Sequence, residues 1–360
     1  MRSEGRTRSR RTTLGVVAVP AILASLALAG CQGGGTPQAS QPAAQPGASS
    51  SAGGNTGGNT GASGPATIYV IGGKSDDPFW SKVKSGAEDA GKAINGKVVW
   101  LGPQDYNNLG PDAAKLQQTA LSQKATAVVG PDWVPSAQDA AWKQITSAGV
   151  PVVMYNSGGA QAAKNVGALT YVGVDEYTSG QAGGKWFGDN GVKNVLCVNT
   201  LPGSTNTEDR CKGVADGISA SGGKSTQLPL ASSNFGNPTA VSQAIKAALL
   251  KDKTIDGVVT ISTVDADSAY SAMQQADLTS KVKLGTFDTN TAQLTRIKAG
   301  QEAFAIDQQG YLQGYYGVAM AYQYATYGFK IPMDTLPTGP TLITAQNVDT
   351  AIAGANAGVR

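Results

Sequence analysis

Residues with hydrogen-bonding and aromatic side chains follow the short apolar segments of this chain. Carboxylates and amides can bind two neighbouring hydroxyls at once, and Arg supplies fixed donors. An aromatic face can cover the apolar C–H face of a bound ring. This mixture predicts a site for a neutral polyhydroxylated ring such as a sugar. The candidate residues are Asp77, Phe79, Trp80, Asn156, Arg210, Phe235, Asp265, Asp288 and Gln308.

Several of these residues also have a purely structural interpretation. Asp77-Pro78 has the sequence of a helix start, with Asp as N-cap and Pro at the first helical position. Asp175 and Asp288 are candidates for helix caps as well. Of the two adjacent aromatic residues, Trp80 continues an apolar stripe at helical spacing and is expected in the core. Polar residues at strand ends often bind only the backbone, which applies to Asn156 and Gln308.

The apolar segments themselves predict the elements that position these residues. They are short, rich in β-branched residues and without alternation, which indicates strands buried on both faces. Amphipathic helices separate them, and this alternation predicts parallel sheets with right-handed crossovers. About 280 residues run from Thr67 to the end of the predicted ordered body. That length favours an α/β fold of two doubly wound lobes. Ligands of such sheets bind at the carboxyl ends of the strands.

The composition argues against an enzyme. The chain contains no His, which excludes Ser-His-Asp and Cys-His mechanisms and His-ligated zinc. The string Gly222-Gly223-Lys224-Ser225 resembles a phosphate loop, but Ile218 stands where that loop requires glycine. No calcium-loop motif occurs. We therefore predict a protein that is not an enzyme and that needs no cofactor or metal.

The net charge argues against nucleic acid as a partner. The whole chain carries a formal charge of +3, and its first 30 residues contain five Arg and one Glu. Removing that segment leaves a charge of about −1. The remaining chain has no basic excess to bind a polyanion by charge alone.

The N-terminal residues are typical of an export signal. A basic stretch is followed by an apolar run over residues 14–29, shorter than the ~20 residues that cross a bilayer. Leu28-Ala29-Gly30-Cys31 resembles a bacterial lipobox, which implies cleavage before Cys31 and its lipidation at the outer face of the cytoplasmic membrane. An uncleaved anchor is the alternative. Arg10-Arg11 resembles a twin-arginine signal, so the export route stays open.

Two further features concern the tether and the cysteines. Residues 32–66 contain no charged side chain, and such a Gly/Ser/Pro/Thr sequence predicts a disordered linker with a span of roughly 30–35 Å. Cys197 and Cys211 remain as a pair in an exported chain, where disulfides persist. A disulfide is the favoured prediction, and two buried free thiols are the alternative.

Five motifs carry a resemblance to a known family. They are Asp77-Pro78-Phe79-Trp80 after the first strand, Arg210-Cys211-Lys212-Gly213, Phe287-Asp288, Gln308 and Phe235. Over roughly residues 67–345 the chain resembles the periplasmic sugar-binding proteins of ABC importers, in the ribose-binding-protein-like group with the type I fold. Asn156-Ser157 and Asp265-Ala266 depart from the ribose-like pattern, so a sugar other than ribose is expected.

The resemblance implies a monomeric receptor with a three-crossing hinge that clamps a sugar or polyol between its lobes. It implies an ABC permease as the protein partner. Presentation of the ligand to a chemoreceptor or sensor kinase is the alternative. The expected division is a signal peptide (1–30), the lipidated Cys and linker (31–66), an N-terminal lobe (67–174 plus 309–336), a C-terminal lobe (175–308 plus 337–346) and a tail (347–360).

Overall fold

The computed structural model describes residues 66–360. The predicted signal peptide (1–30), Cys31 and nearly all of the predicted linker (31–66) lie outside the described residues. Within them, no helix combines the length and apolar composition needed to cross a bilayer.

The N-terminal lobe is built on a six-stranded sheet in which every pair of neighbours is parallel, in the order β2-β1-β3-β4-β5-β11. The strands are β1 (Thr67–Ile71), β2 (Lys97–Leu101), β3 (Ala127–Gly130), β4 (Val152–Tyr155), β5 (Tyr171–Gly173) and β11 (Thr335–Pro337). The helices are α1 (Pro78–Ala93), α2 (Leu109–Ser122), α3 (Pro135–Ser147), α4 (Gly159–Asn165) and α10 (Gly310–Tyr327).

The C-terminal lobe repeats this plan in the order β7-β6-β8-β9-β10-β12, with only the edge strand β12 antiparallel. The strands are β6 (Asn194–Asn199), β7 (Lys224–Pro229), β8 (Gly257–Thr260), β9 (Lys283–Phe287), β10 (Phe304–Asp307) and β12 (Thr341–Ile343). The helices are α5 (Glu176–Asp189), α6 (Thr205–Ser219), α7 (Pro238–Lys251), α8 (Thr263–Gln275), α9 (Thr291–Lys298) and α11 (Val348–Asn356), with a 3₁₀ turn at Ser232–Asn234.

The central strands are buried on both faces, as their uninterrupted apolar sequence predicts. In β1, Ile68 and Val70 pack into the core on one face of the sheet, while Tyr69 and Ile71 pack into the core on the other. The prediction of two doubly wound α/β lobes is therefore confirmed, with the antiparallel edge strand as the one difference in strand direction.

Three chain crossings join the lobes. Residues 174–175 lead from β5 to α5, residues 308–309 from β10 to α10, and residues 338–340 from β11 to β12. The crossings are hydrogen-bonded to one another: Thr338 donates through Oγ1 to the Gln308 carbonyl at 2.8 Å, and its N–H donates to the Gly173 carbonyl at 3.0 Å. The hinge is thus a single bonded unit.

Residues 347–360, which the sequence analysis set apart as a tail, contain helix α11. Its side chains Val348 and Ala351 are buried against Leu294 and Ile297 of α9. Near the chain end, Arg360 pairs with Asp307 at the end of β10. Residues 347–360 therefore pack onto the C-terminal lobe.

Candidate ligand-binding site

A cavity lies between the two lobes, at the carboxyl ends of both sets of strands. It holds about 520 Å³ of space, part of it open to solvent. Eight of the nine predicted site residues line it, and Asp265 does not. The lining residues are Asp77, Phe79, Trp80, Tyr106, Leu109, Trp133, Asn156, Leu201, Asn206, Thr207, Arg210, Phe235, Ile261, Ser262, Thr263, Asp288 and Gln308.

The wall contributed by the N-terminal lobe is largely aromatic. Phe79 and Trp80 meet edge to face, with ring centroids 5.0 Å apart, and Trp80 meets Trp133 in the same way at 5.5 Å. Trp80 is only 7% exposed and belongs to the core of the lobe, as its helical spacing predicts. It also lines the cavity, so the same ring serves the core and the site. Edge-to-face contacts of this kind hold the rings in fixed orientations.

Asp77 is both a helix cap and a cavity residue. Its Oδ1 accepts a hydrogen bond from the Phe79 N–H at 2.9 Å, which caps α1. Its Oδ2 accepts from the Tyr106 hydroxyl at 3.3 Å. Burial strips water from the carboxylate and raises the pKa of Asp77 to about 6.

Asn156 presents an unpaired acceptor to the cavity. It follows β4 in the left-handed conformation (φ 62°), which Asn tolerates better than most residues. The side chain is buried, and its Oδ1 finds no hydrogen-bond partner among residues 66–360. An unpaired buried acceptor costs about 1–3 kcal/mol. A ligand hydroxyl that donates a hydrogen bond to this oxygen would offset that cost.

Arg210 is held in place by a buried carboxylate that the sequence analysis did not identify. Its Nε and Nη2 donate to the two carboxylate oxygens of Glu176 at 2.7 and 3.0 Å, and its Nη1 donates to the Ile261 carbonyl at 2.8 Å. The guanidinium lies 4.6 Å from the centroid of the Phe287 ring. These bonds use three of the five N–H groups of an Arg side chain. Two remain for a ligand.

The packing of α5 against α6 brings this pair together. Gly180 and Gly213 lie where the helices touch, and a Cβ on either would collide with the backbone of the other helix. The predicted disulfide between Cys197 and Cys211 is present and links β6 to α6, one residue beyond Arg210. In the chain-entropy model a loop of this size contributes on the order of 3 kcal/mol.

Asp288 and Gln308 connect the cavity to the hinge. The Gln308 Nε2 donates to Asp288 Oδ1 at 2.6 Å, while its own Oε1 is buried without a partner in the described part of the chain. Burial raises the pKa of Asp288 to about 7, against the opposing effect of Arg210. Asn290 caps α9, so the alternative role of Asp288 as that cap is wrong. Asp175, in contrast, does cap α5 through the Thr178 N–H.

Asp265 lies behind the cavity wall. Its Oδ2 accepts from the hydroxyls of Thr200 and Ser262 at 2.6 and 2.9 Å. Ser262 itself lines the cavity, as does Thr263. Asp265 is therefore placed to orient the Ser262 hydroxyl, and burial raises the pKa of Asp265 to about 6.

Direct contacts between the lobes show that the cleft is closed. Phe235 of the C-terminal lobe meets Tyr106 of the N-terminal lobe edge to face at 4.8 Å. Thr205 donates through its N–H to the Trp133 carbonyl at 2.9 Å, and its hydroxyl lies 2.9 Å from that of Ser157. These contacts close the cavity on one side without a ligand.

The sequence analysis missed about half of the lining. Trp133 follows β3 and was available to the strand-end rule. Asn206 and Thr207 lie in the first turn of α6, and Ser262 and Thr263 begin α8, so helix starts near the cleft carry a usable signal. Tyr106 comes from a loop after β2 with no motif. The remaining missed residues are Leu109, Leu201 and Ile261.

The charges of the site favour a neutral ligand. Arg210 is the only basic residue of the lining, and Glu176 neutralises it. Asp77 and Asp288 add acidic groups. An anionic ligand would meet net repulsion, whereas hydroxyls find both donors and acceptors. No cluster of metal-ligating side chains occurs within residues 66–360.

Comparison with known proteins agrees with this geometry. A family model described as a periplasmic binding protein domain matches residues 68–329. The xylose/arabinose-binding protein XylF of Sulfolobus acidocaldarius is 23% identical over 295 residues, which are 78% of this chain and 71% of that protein.

Solved structures show the same fold. The carbohydrate transporter from Acidothermus cellulolyticus 11B, crystallised in complex with myo-inositol, is 33% identical with a TM-score of 0.75, covering 82% of this chain and all of that one. GanP, a glucose-galactose binding protein from Geobacillus stearothermophilus, is 18% identical with a TM-score of 0.70, covering 79% of this chain and 99% of its own, and supports the fold alone.

Proposed function

The chain belongs to the periplasmic binding protein family, and from that premise we propose that it captures a sugar or cyclic polyol between its lobes and delivers it to an ABC permease. The observation that carries the proposal is the composition of the cavity. Aromatic rings that meet edge to face line one wall, and two buried oxygens of lining residues, Asn156 Oδ1 and Gln308 Oε1, have no hydrogen-bond partner within residues 66–360. A neutral polyhydroxylated ring has an apolar face that can cover the aromatic side chains and hydroxyls that can donate to the two oxygens.

The ligand class follows from the walls and the charges. A flat ring with an apolar C–H face fits the aromatic wall, and its hydroxyls reach Arg210, Asp288 and Asn156. A sugar acid or sugar phosphate would bring a further negative charge beside the acidic groups of Asp77 and Asp288. We rank myo-inositol first among the candidates, because a relative 33% identical was crystallised with it, with xylose and arabinose next.

Calorimetry of the purified protein against a panel tests this proposal. The panel contains myo-inositol, xylose, arabinose, glucose, galactose and ribose, with inositol phosphate as the anionic control. We expect one or a few neutral members to bind with micromolar or tighter affinity. At 100 times Kd, such a ligand raises stability by about 2.7 kcal/mol, which a thermal shift detects. A folded protein that binds no neutral member, or prefers the phosphate, overturns the proposal.

Attachment at Cys31 and delivery to a permease form the second part of the proposal. Attachment is supported by the sequence around Cys31, and delivery by the family. We expect cells that lack the gene to lose uptake of the labelled ligand, and the Cys31→Ser variant to appear in the medium. Presentation to a sensor, the alternative, predicts intact uptake and a lost transcriptional response in the same cells. Lipid labelling that persists in Cys31→Ser contradicts the anchor.

A further inference from the structure

The N-terminal lobe carries a patch of exposed apolar side chains, which we call the tether-end patch. It consists of Tyr316, Tyr327, Phe329, Ile331 and Met333, and Phe329 is 67% exposed. Within residues 66–360 only Leu250 and Val359 are comparably large, apolar and exposed. Contiguous apolar surface of this kind marks interaction sites in soluble proteins.

A groove runs beside the patch, between α10 and the segment that follows it. It holds about 800 Å³ of space, part of it open to solvent. The residues that line it are Leu169, Thr170, Tyr316, Ala319, Met320, Gln323, Phe329, Lys330 and Ile331. Lys330 is the only charged residue of this lining, and the groove contains no carboxylate. The segment is held to the lobe by the Thr170 hydroxyl, which donates to the Met333 carbonyl at 2.9 Å.

The topology places this patch at the end of the lobe where the tether enters. All strands of this sheet run parallel, so β1, β5 and β11 begin at the same edge. Residues 169–170 directly precede β5, and residues 329–333 directly precede β11. β11 lies four strand positions from β1, a lateral distance of about 19 Å at the usual strand spacing.

The length of the chain before β1 sets an upper limit on the distance between this end of the lobe and the anchor proposed at Cys31. Thirty-four residues separate Cys31 from Ala66. A Gly/Ser-rich chain of that length spans roughly 30–35 Å. An anchored lobe therefore meets the lipid surface as an intramolecular event, at an effective concentration of the order of millimolar. A patch at the tethered end is the first surface to arrive.

The side chains of the patch suit the lipid–water interface. Tyr is enriched at that level because its ring is apolar and its hydroxyl is wet, and Phe and Ile bury in the acyl boundary. Lys330 can place its stem along the apolar surface and its ammonium among anionic headgroups. A protein partner such as the permease would also suit aromatic residues, but an anchor in the bilayer keeps lipid within reach at all times and the permease within reach only on encounter.

We propose that the tether-end patch is a lipid-contact surface that lays the N-terminal lobe on the bilayer. The proposal rests on the anchor at Cys31 proposed above. It has a consequence for capture: the cleft lies at the opposite edge of the same sheet, about 15 Å away along a strand of five residues. With this surface on the bilayer, the opening of the cleft faces away from the lipid. The lobe has to leave the lipid surface before the receptor docks on the permease.

A dye on a single cysteine tests the contact in the full lipidated protein. Cys197 and Cys211 are joined in a buried disulfide, so Phe329→Cys offers the one reactive thiol once Cys31 is lipidated. Leu250→Cys is the matched control, an exposed apolar position on the other lobe. Both variants carry a polarity-sensitive dye in vesicles of phosphatidylethanolamine and phosphatidylglycerol. A melting temperature equal to that of the parent, measured without ligand, shows that each is folded.

The expected result is a blue shift at position 329 and quenching there by nitroxide lipids, with neither effect at 250. Adding Ile331→Ser and Tyr327→Ser should reduce quenching at 329 several-fold. Equal signals at 329 and 250 on vesicles that carry the protein through flotation overturn the patch and leave the anchor standing. Protein that fails to float with the vesicles refutes the anchor. The dye signal at position 329 with added vesicles at millimolar lipid then shows whether the patch contacts lipid without the anchor. A concentration-dependent shift without lipid identifies a dimer surface instead and overturns the proposal.

Discussion

The two walls of the cleft are made from different chemistry. The N-terminal lobe offers most of the rings, Phe79, Trp80 and Trp133, beside the polar Asp77 and Asn156, whereas the C-terminal lobe offers the charged Arg210 and Asp288 beside the single ring of Phe235. Ring stacking is nearly indifferent to the orientation of individual hydroxyls, but charged hydrogen bonds are directional. We therefore propose that affinity for rings in general comes mainly from the first wall, and selection among them mainly from the second.

The largest expected effect is on the free energy of unfolding, and it comes from removing Glu176, which holds Arg210 in place. Glu176→Ala leaves the Arg210 guanidinium buried without its partner, so we expect the free energy of unfolding to fall by about 3–5 kcal/mol. Denaturant unfolding without ligand measures it. Glu88→Ala, at a half-exposed residue paired with Lys84, is the control and should cost under 1 kcal/mol. Equal losses in the two variants would show that Glu176 does not support the wall.

Asp288 itself should control binding without comparable damage to the fold. We expect Asp288→Ala to weaken ligand affinity at least 100-fold in calorimetry, because a ligand hydroxyl and Gln308 both lose their acceptor. Asp288 has φ 67°, where Ala is strained, so Asp288→Asn separates the lost charge from the backbone effect. Asp189→Ala, exposed on the same lobe, should bind as the parent does. Parent affinity in Asp288→Ala refutes this placement of the site.

A smaller and more uniform effect is expected from the aromatic wall. Phe79→Leu removes the edge-to-face contact with Trp80 and the stacking face, worth about 1 kcal/mol or a five- to tenfold loss of affinity. The loss should be alike for every ligand that binds, so the ratio between ligands stays constant. Asp288→Asn should change that ratio. The division between the walls fails if Phe79→Leu alters the ratio more than Asp288→Asn does.

The smallest expected effect is the pH dependence of the stability of the ligand-free protein. Burial raises the pKa of Asp77 to about 6 and of Asp288 to about 7, while the unfolded chain has Asp groups near 3.9. The folded state holds these protons more tightly, so their stabilising contribution is full below about pH 4 and is lost as the pH rises through 6 to 7. Ligand-free protein should melt a few degrees lower at pH 8 than at pH 5. Asp288→Asn should flatten that slope, and a slope unchanged by it contradicts the assignment.

Much of the fold was predictable because a strand that is buried on both faces consists of an uninterrupted run of apolar residues. An apolar run does not reveal β7, because it is an edge strand with a polar, half-exposed sequence. β11 and β12, each three residues long, carry too little pattern to detect. The helix within 347–360 was missed as well, since its single buried face depends on a neighbour far away in the chain, Leu294 of α9.

The sequence by itself determined which edge of each sheet faces the cleft and eight of the residues that line it, because parallel strands bring their carboxyl ends to one edge whatever the side chains are. Only the tertiary structure decided their roles. It placed Asp265 behind Ser262, paired Glu176 with Arg210 through the close approach of two glycine-bearing helices, and brought Tyr106 to Phe235 across the lobes. The positions of most strands along the chain follow from local pattern, whereas the Glu176–Arg210 pair and the Tyr106–Phe235 contact join residues 34 and 129 positions apart. No local pattern records such contacts.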